Sequence, residues 1–246
     1  MTNAAVIGVV GYHNTGKTTL ICKLIERLTE DGYSVSTIKN IPKEGFSMDT
    51  EGSDTWRHGR SGAGLVVAST PEETSFLVGD GMPLDEIVRI MDCMMSSDLI
   101  LVEGHKTEPI PKIVLGEIPI ESESESDVRR YDPATDDFEE LFGYVTRTIE
   151  IMRAYNRLPK MDCGKCGYDD CMGMAEAIFR GEKTVSDCLM QGGFVSATVS
   201  GVEIPMGRFV QDIVSKTIFG MVSSLKGVDY TEIDADIVIE IKHDRR

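Results

Sequence analysis

Short apolar runs and helical stripes alternate along the first two thirds of the chain. Ala4-Ala5-Val6-Ile7-Gly8-Val9-Val10 is a continuous apolar run, the pattern of a strand buried on both faces of a parallel sheet. Leu20, Ile21, Leu24, Ile25 and Leu28 then recur at helical spacing, and Gly32 supplies a C-terminal cap. Tyr33 to Lys39 alternates and predicts a second strand, so that strand, helix and strand form a right-handed parallel unit. Residues Asn40 to Ser53, with Pro42, Gly45 and Gly52, form a polar loop leading to Asp49-Thr50-Glu51-Gly52-Ser53-Asp54-Thr55-Trp56-Arg57-His58. Gly64 to Ser69 and Glu73 to Val78 predict further strands, and Leu84 to Met95 a helix. Leu99 to Val102 is a central strand that ends in Glu103 and Gly104. The acidic low-complexity run Glu121 to Asp127 predicts a mobile loop. Phe138 to Ala154 returns to a helix, with Phe138, Leu141, Phe142, Val145, Ile149 and Met152 on one face.

Beyond a boundary near Asn156 to Lys160 the pattern changes. Met174 to Gly181 predicts a short helix and turn. Val195, Ala197 and Val199 alternate, Ser200-Gly201 turns, and Val202-Glu203-Ile204 returns as a hairpin. A helical stripe runs from Val210 to Leu225 and closes at Gly227, and Ile237, Ile239 and Ile241 alternate in a last strand. The fold class is therefore α/β: a mainly parallel sheet flanked by helices over residues 1–155, a domain with four cysteines over 156–192, and a small ββαβ module over 193–246.

Gly11-Tyr12-His13-Asn14-Thr15-Gly16-Lys17-Thr18, followed by Thr19 and set between a strand and a helix, has the spacing of a phosphate-binding loop and makes the first domain a P-loop NTPase. Gly11 and Gly16 permit the curvature that converges backbone N–H groups on phosphate. Lys17 brings a cation to the β/γ-phosphates, Thr18 offers a hydroxyl to Mg²⁺, and the helix start favours the anion. Gly11, His13, Asn14, Thr15, Gly16, Lys17, Thr18 and Thr19 are thus candidate nucleotide-binding residues. Glu103, where Asp is more usual, is a candidate to orient water or Mg²⁺. Asp49, Asp54 and Arg57 lie on a loop after a parallel strand, where such sheets bind ligands, and are candidates for Mg²⁺ or phosphate contacts.

Charge and cysteine content add a second chemistry. With 41 acidic and 25 basic residues in 246, the net charge of −16 argues against sequence-independent nucleic-acid binding. No apolar run approaches bilayer length and no basic residue precedes the first strand, so a cytoplasmic protein is expected, without membrane association. Of six cysteines, Cys22 and Cys93 are expected to be buried small hydrophobes. The other four, Cys163, Cys166, Cys171 and Cys188, have the spacing Cys-x2-Cys-x4-Cys-x16-Cys, which suits [4Fe–4S], [2Fe–2S] or zinc. Structural zinc sites more often carry two Cys-x2-Cys pairs, and one is present here, which favours iron–sulfur.

Two resemblances follow from these motifs. Gly11 to Thr19, Asp54-Thr55-Trp56-Arg57-His58 with Gly62-Ala63-Gly64, Asp98 to Lys106, and Glu108-Pro109-Ile110-Pro111-Lys112-Ile113 together resemble the MobB family of molybdopterin-guanine dinucleotide biosynthesis over roughly the first 115 residues. That resemblance implies a fold that binds GTP with Mg²⁺, hydrolyses it weakly, usually dimerises, and assists the nucleotidyltransferase partner that attaches GMP to molybdopterin. The chain departs from the family pattern at Lys39-Asn40-Ile41-Pro42-Lys43, Glu51-Gly52-Ser53 and Gly104-His105-Lys106. The four-cysteine segment, with Ala175, Ala177, Ile178 and Gly181 between ligands, resembles the small iron–sulfur domain of corrinoid iron–sulfur proteins, which implies [4Fe–4S]. The leading expectation is a GTP-binding accessory protein of molybdenum or tungsten cofactor assembly. The alternatives are a nucleotide-gated iron–sulfur electron-transfer or metal-handling protein, and a P-loop small-molecule kinase.

Overall fold

Residues 2–119, 128–190, 197–199, 202–204, 206 and 208–223 are described by the computed structural model. The chain divides into two compact units between Asn156 and Arg157.

The first unit is built on five parallel strands: β1 (Ala5–Gly11), β2 (Val35–Lys39), β5 (Leu99–Glu103), β6 (Lys112–Leu115) and β7 (Val128–Tyr131), in the order β2-β5-β1-β6-β7. The fully apolar runs take the middle places because both faces there are covered. On one face α1 (Lys17–Glu30) and α4 (Phe138–Asn156) pack Leu20, Leu24, Leu28, Leu141, Val145 and Ile149 against Ile7, Val9 and Leu101. On the other, Leu84 and Val88 of α3 (Leu84–Met94) meet Ile38, Ile100 and Val102. Helix α1 stops at Asp31, followed by Gly32 at φ 85°. No helix among the described residues is long and apolar enough to cross a membrane.

The expected strand–helix–strand unit is present, but β2 does not touch β1: β5 is inserted between them and pairs with both. Three elements carry weaker signals. Lys112–Leu115 is a four-residue run between Pro111 and Gly116, and it seats beside β1 because Gly8 has no side chain: a Cβ there would lie 3.3 Å from Ile110 and 3.4 Å from Lys112. β7 reads Val-Arg-Arg-Tyr and is a strand only through its edge pairing with β6. Helix α2 (Asp54–Arg60) begins where the expected polar loop ends and takes in Asp54 and Arg57, both expected on a loop. β3 (Leu65–Ser69) and β4 (Thr74–Val78) form an antiparallel hairpin that is not part of the main sheet. Cys22 and Cys93, expected inside, are exposed. Cys22 faces away from the side of α1 that buries Leu20, Ile21, Leu24 and Leu28, and Cys93 lies opposite Leu84, Val88 and Met91 on α3.

In the second unit, α5 (Cys171–Phe179) starts on an Asp170 cap whose carboxylate accepts from Gly173 N at 2.7 Å. β8 (Ala197–Val199) and β9 (Val202–Ile204) pair antiparallel as the alternation predicts, and α6 spans Arg208–Ser223. The Ile237–Ile241 strand and the Glu121–Asp127 loop fall outside the described residues.

One carboxylate ties three elements of the first unit together at the edge of the sheet opposite Gly11. Asp98, just before β5, accepts from Ser34 N (2.9 Å) and Ser34 Oγ (3.0 Å) ahead of β2, and from Arg153 Nε (3.0 Å) in the last turns of α4. Burial alone would raise the Asp98 pKa, but the Ser34 and Arg153 hydrogen bonds outweigh it and hold the carboxyl below its usual value. A lowered folded-state pKa contributes stability that is complete above the unfolded value, about 4, and lost as pH falls through the folded one. Asp98→Asn is therefore expected to lower the unfolding free energy at pH 7 by about 1–2 kcal/mol, the scale of a charged hydrogen bond. The gap between variant and parent should narrow from pH 7 to pH 3, measured by urea denaturation at both pH values. An equal gap at both would remove the charge from the explanation.

Candidate functional site

The phosphate loop needs its two glycines for different reasons. Gly11 ends β1 in crowded space: a Cβ there would lie 2.5 Å from Thr15 Oγ1 and 2.8 Å from the Leu115 carbonyl. Gly16 has open space around it but sits at φ 87°, the left-handed region, as the residue before α1. Asn14 shares that region at φ 60°. Thr15 Oγ1 donates to the Tyr12 carbonyl (3.0 Å), and Lys17 Nζ donates to the carbonyls of Gly11 (3.1 Å) and Tyr12, so the lysine stands over its own loop. The first turn of α1 contains no acidic residue, which leaves the positive end of the helix dipole uncompensated beside the loop. His13, Thr18 and Thr19 are exposed.

Glu103 is brought to this loop by strand register. Val9 pairs with Glu103 across β1 and β5, and Lys39 pairs with Glu103 across β2 and β5. The carboxylate stands at the carboxyl-terminal edge of the sheet, where Thr18 Oγ1 lies 3.2 Å from both of its oxygens. Lys39 Nζ donates to Glu103 Oε1 at 2.8 Å, and the Glu103 side chain is only 15% exposed. The strand after Glu103 turns through Gly104 at φ 98° and His105 at φ 55°, and Lys106 Nζ reaches 5.3 Å from the centre of the Tyr12 ring. Gly104 is required here, since a Cβ would stand 3.0 Å from Asn40 Cβ.

Thus Thr18 and Glu103, expected together from the two motifs, are together, with Lys17 on the same loop. Asp49, Asp54 and Arg57 are engaged elsewhere. Asp49 Oδ1 accepts from Thr50 N (2.8 Å), Ser53 Oγ (2.9 Å) and Thr55 Oγ1 (3.0 Å), while Ser53 Oγ caps α2 by accepting from Trp56 N. Asp54 and Arg57 form an exposed pair at 3.6 Å. Among the described residues, none of these bonds reaches the phosphate loop. Two residues that the motifs did not single out complete the picture. Lys39 is the last residue of an alternating strand, and only the register shows that it faces Glu103; Tyr12 was one of four variable positions in the loop. Helix α2 did have a signal, the Ser53 cap.

In the second unit all four candidate thiols are free of disulfides. Gly164 (φ 68°) and Gly167 (φ 92°) turn the chain between Cys163, Cys166 and Cys171, closed by Gly167 N donating to the Gly164 carbonyl at 3.1 Å. Asp162, itself at φ 44°, accepts from Cys171 N at 2.8 Å and so fastens the turn to the start of α5. Cys171 and Cys188 are buried, Cys166 half-buried and Cys163 exposed. Burial pushes the Cys171 thiol up, against backbone hydrogen bonds from Asp162 and Met161 that lower it. Among the described residues no three His, Cys, Asp or Glu side chains are arranged to hold a metal ion. The donor set nonetheless fits a cluster in kind: four unpaired thiols, two of them on a glycine turn and one at a helix start. Thiolates repel one another, so a bound metal centre would supply the attraction that gathers them.

Comparison with known proteins agrees with both motifs. The family described as MobB, "Molybdopterin guanine dinucleotide synthesis protein B", matches residues 6–130, and a family described as "Putative Fe-S cluster" matches residues 158–190. A Methanocaldococcus jannaschii protein described as "Putative molybdopterin-guanine dinucleotide biosynthesis adapter protein" is 33% identical over 231 residues, 91% of this chain and 93% of that protein. The molybdopterin-guanine dinucleotide biosynthesis adapter protein of Haemophilus influenzae is 39% identical over 111 residues, 44% of this chain and 61% of that protein. The crystal structure of Bacillus subtilis MobB superposes over 58% of this chain and 97% of its own, with 21% identity and a TM-score of 0.46. A family match across about half the chain, with a relative aligned along nearly its whole length, establishes that this protein belongs to the MobB family.

Proposed function

We propose that this protein is a GTP-binding accessory protein in molybdopterin guanine dinucleotide synthesis, serving molybdenum or tungsten cofactors, with weak Mg²⁺-dependent GTP hydrolysis and a bound [4Fe–4S] cluster. The observation that carries the nucleotide half is the Thr18–Glu103 contact beside the Lys17 loop, because it unites the two halves of an NTPase site from residues 85 apart. Lys17 and the start of α1 oppose the charge on the phosphates. Thr18 and Glu103 would hold Mg²⁺, which when bound neutralises phosphate charge. The preference for GTP and the handing of nucleotide or pterin to a nucleotidyltransferase partner come from the family, whose relatives are described as adapter proteins. Lys17→Ala is expected to weaken Mg-GTP binding by about 10- to 100-fold, one charged hydrogen-bonding group's worth. Thermal unfolding should be unchanged, because the lysine holds only its own loop. Calorimetric titration that gave wild-type affinity for the variant would remove the loop as the nucleotide site.

Cys163, Cys166, Cys171 and Cys188 would hold the cluster, and what supports it is the unpaired four-thiol set within the segment matched by the iron–sulfur family. Changing all four to Ser should abolish the visible absorption and the iron and sulfide content of anaerobically purified protein. Mg-GTP affinity should stay within about twofold, since the first unit buries its own core. Cys22→Ser and Cys93→Ser should leave the iron alone. Colourless, zinc-loaded protein would overturn the iron–sulfur assignment.

The same chain is proposed to form a homodimer through the β3–β4 hairpin. Leu65 pairs across the hairpin with Val78 and Val67 with Phe76, so four large apolar side chains share one face, each about half exposed. Phe76→Glu is expected to weaken the dimer by about 100-fold or more with little loss of monomer stability. Light scattering on the eluting protein would check this; a monomeric parent would refute it.

A further inference from the structure

Lys39, we infer, is a positioning residue that serves as a resident counter-cation for Glu103, keeping that carboxylate from repelling nucleotide phosphates while no metal is bound. The inference rests on the assignment of Thr18 and Glu103 as the Mg²⁺ site. Its basis is a cluster of three residues, Lys39, Glu103 and Thr18. The Lys39–Glu103 pairing in the β2–β5 ladder fixes the lysine at the height of the carboxylate, and Lys39 Nζ lies 2.8 Å from Glu103 Oε1 while Thr18 Oγ1 contacts the same group. A Glu held 15% exposed next to a phosphate-binding loop would place negative charge where an anion must arrive. Lys39 cancels that charge. Its own side chain is 55% exposed, so it is free to leave when a divalent ion takes over the carboxylate. The exchange is one cation for another at one acid, and it lets metal-free nucleotide dock before or without Mg²⁺.

The two cations act at different times, so the effect of removing Lys39 depends on metal. In Lys39→Met, which keeps most of the apolar stem and removes the ammonium, the loss of GTP affinity relative to the parent should be about three- to tenfold larger in EDTA than with Mg²⁺, the scale of one partly exposed ion pair. In a Glu103→Gln background the same substitution should have no effect on metal-free binding, because no charge is left to cancel. Calorimetry on the full chain with GTP in Mg²⁺ and in EDTA reads all four proteins. Equal losses with and without metal, or a Lys39→Met loss that persists in the Glu103→Gln background, would make Lys39 a direct phosphate contact and overturn the inference, as would no loss in either condition. If wild-type protein fails to bind GTP even with Mg²⁺, the proposed function falls and the inference with it. Wild-type binding with an unaltered metal dependence in Lys39→Met refutes the role of Lys39 alone.

Discussion

The parallel ladder through β1, β5 and β2 is the constraint on which the site depends. Its hydrogen bonds put Val9, Glu103 and Lys39 side by side in one row, from positions widely separated in the chain. The phosphate loop begins two residues beyond Val9, and α1 begins six residues beyond Gly11. A slip of one residue in β5 would send Glu103 to the opposite face and bring Gly104 or Val102 to the loop. Register is held by burial on both faces, because Leu99, Leu101, Ile100 and Val102 are all fully buried and a slipped strand would exchange their partners. At the other edge Asp98 joins the starts of β5 and β2 to α4. The chemistry at one end of the sheet is thus set by packing along its length.

Close approach is the second constraint. Gly8, Gly11 and Gly104 each stand where a Cβ would press on a neighbouring segment, and the tightest is Gly11, against Thr15 Oγ1 and the Leu115 carbonyl. Gly8 and Gly11 let β6 lie against β1, and Gly104 lets the chain leave β5 beside Asn40. Lys112, 2% exposed in the same region, has its ammonium bonded to the carbonyls of Glu108 and Ile110. A buried charge is costly to hold, and stripping it of its backbone acceptors would cost more. It fixes the turn that delivers β6.

The second unit follows a different logic. Three of its thiols lie on a turn that depends on left-handed residues, Asp162, Gly164 and Gly167, and on a helix start fastened by Asp162 and Asp170. Those features arrange the chain around the cysteines without gathering the sulfurs into a ligand set. Bringing several thiolates together costs electrostatic energy that only a bound positive centre returns.

The amino-acid sequence determined much of this protein locally. Gly11 to Thr18 and the apolar run ending in Glu103 were legible because phosphate binding demands particular residues at short spacing. The helices at 17–30, 84–94 and 138–156 were legible because one face of each is apolar at helical period. Tertiary structure decided what no local pattern encodes. It inserted β5 between β1 and β2, recruited the polar Val-Arg-Arg-Tyr segment as an edge strand, and turned Cys22 and Cys93 outward. It also engaged Asp49 at the start of α2 and set Lys39 against Glu103. In each case the cause is a partner that the local pattern does not specify: strand order and register depend on which segments bury one another, and a charged residue takes its role from the charge placed opposite it.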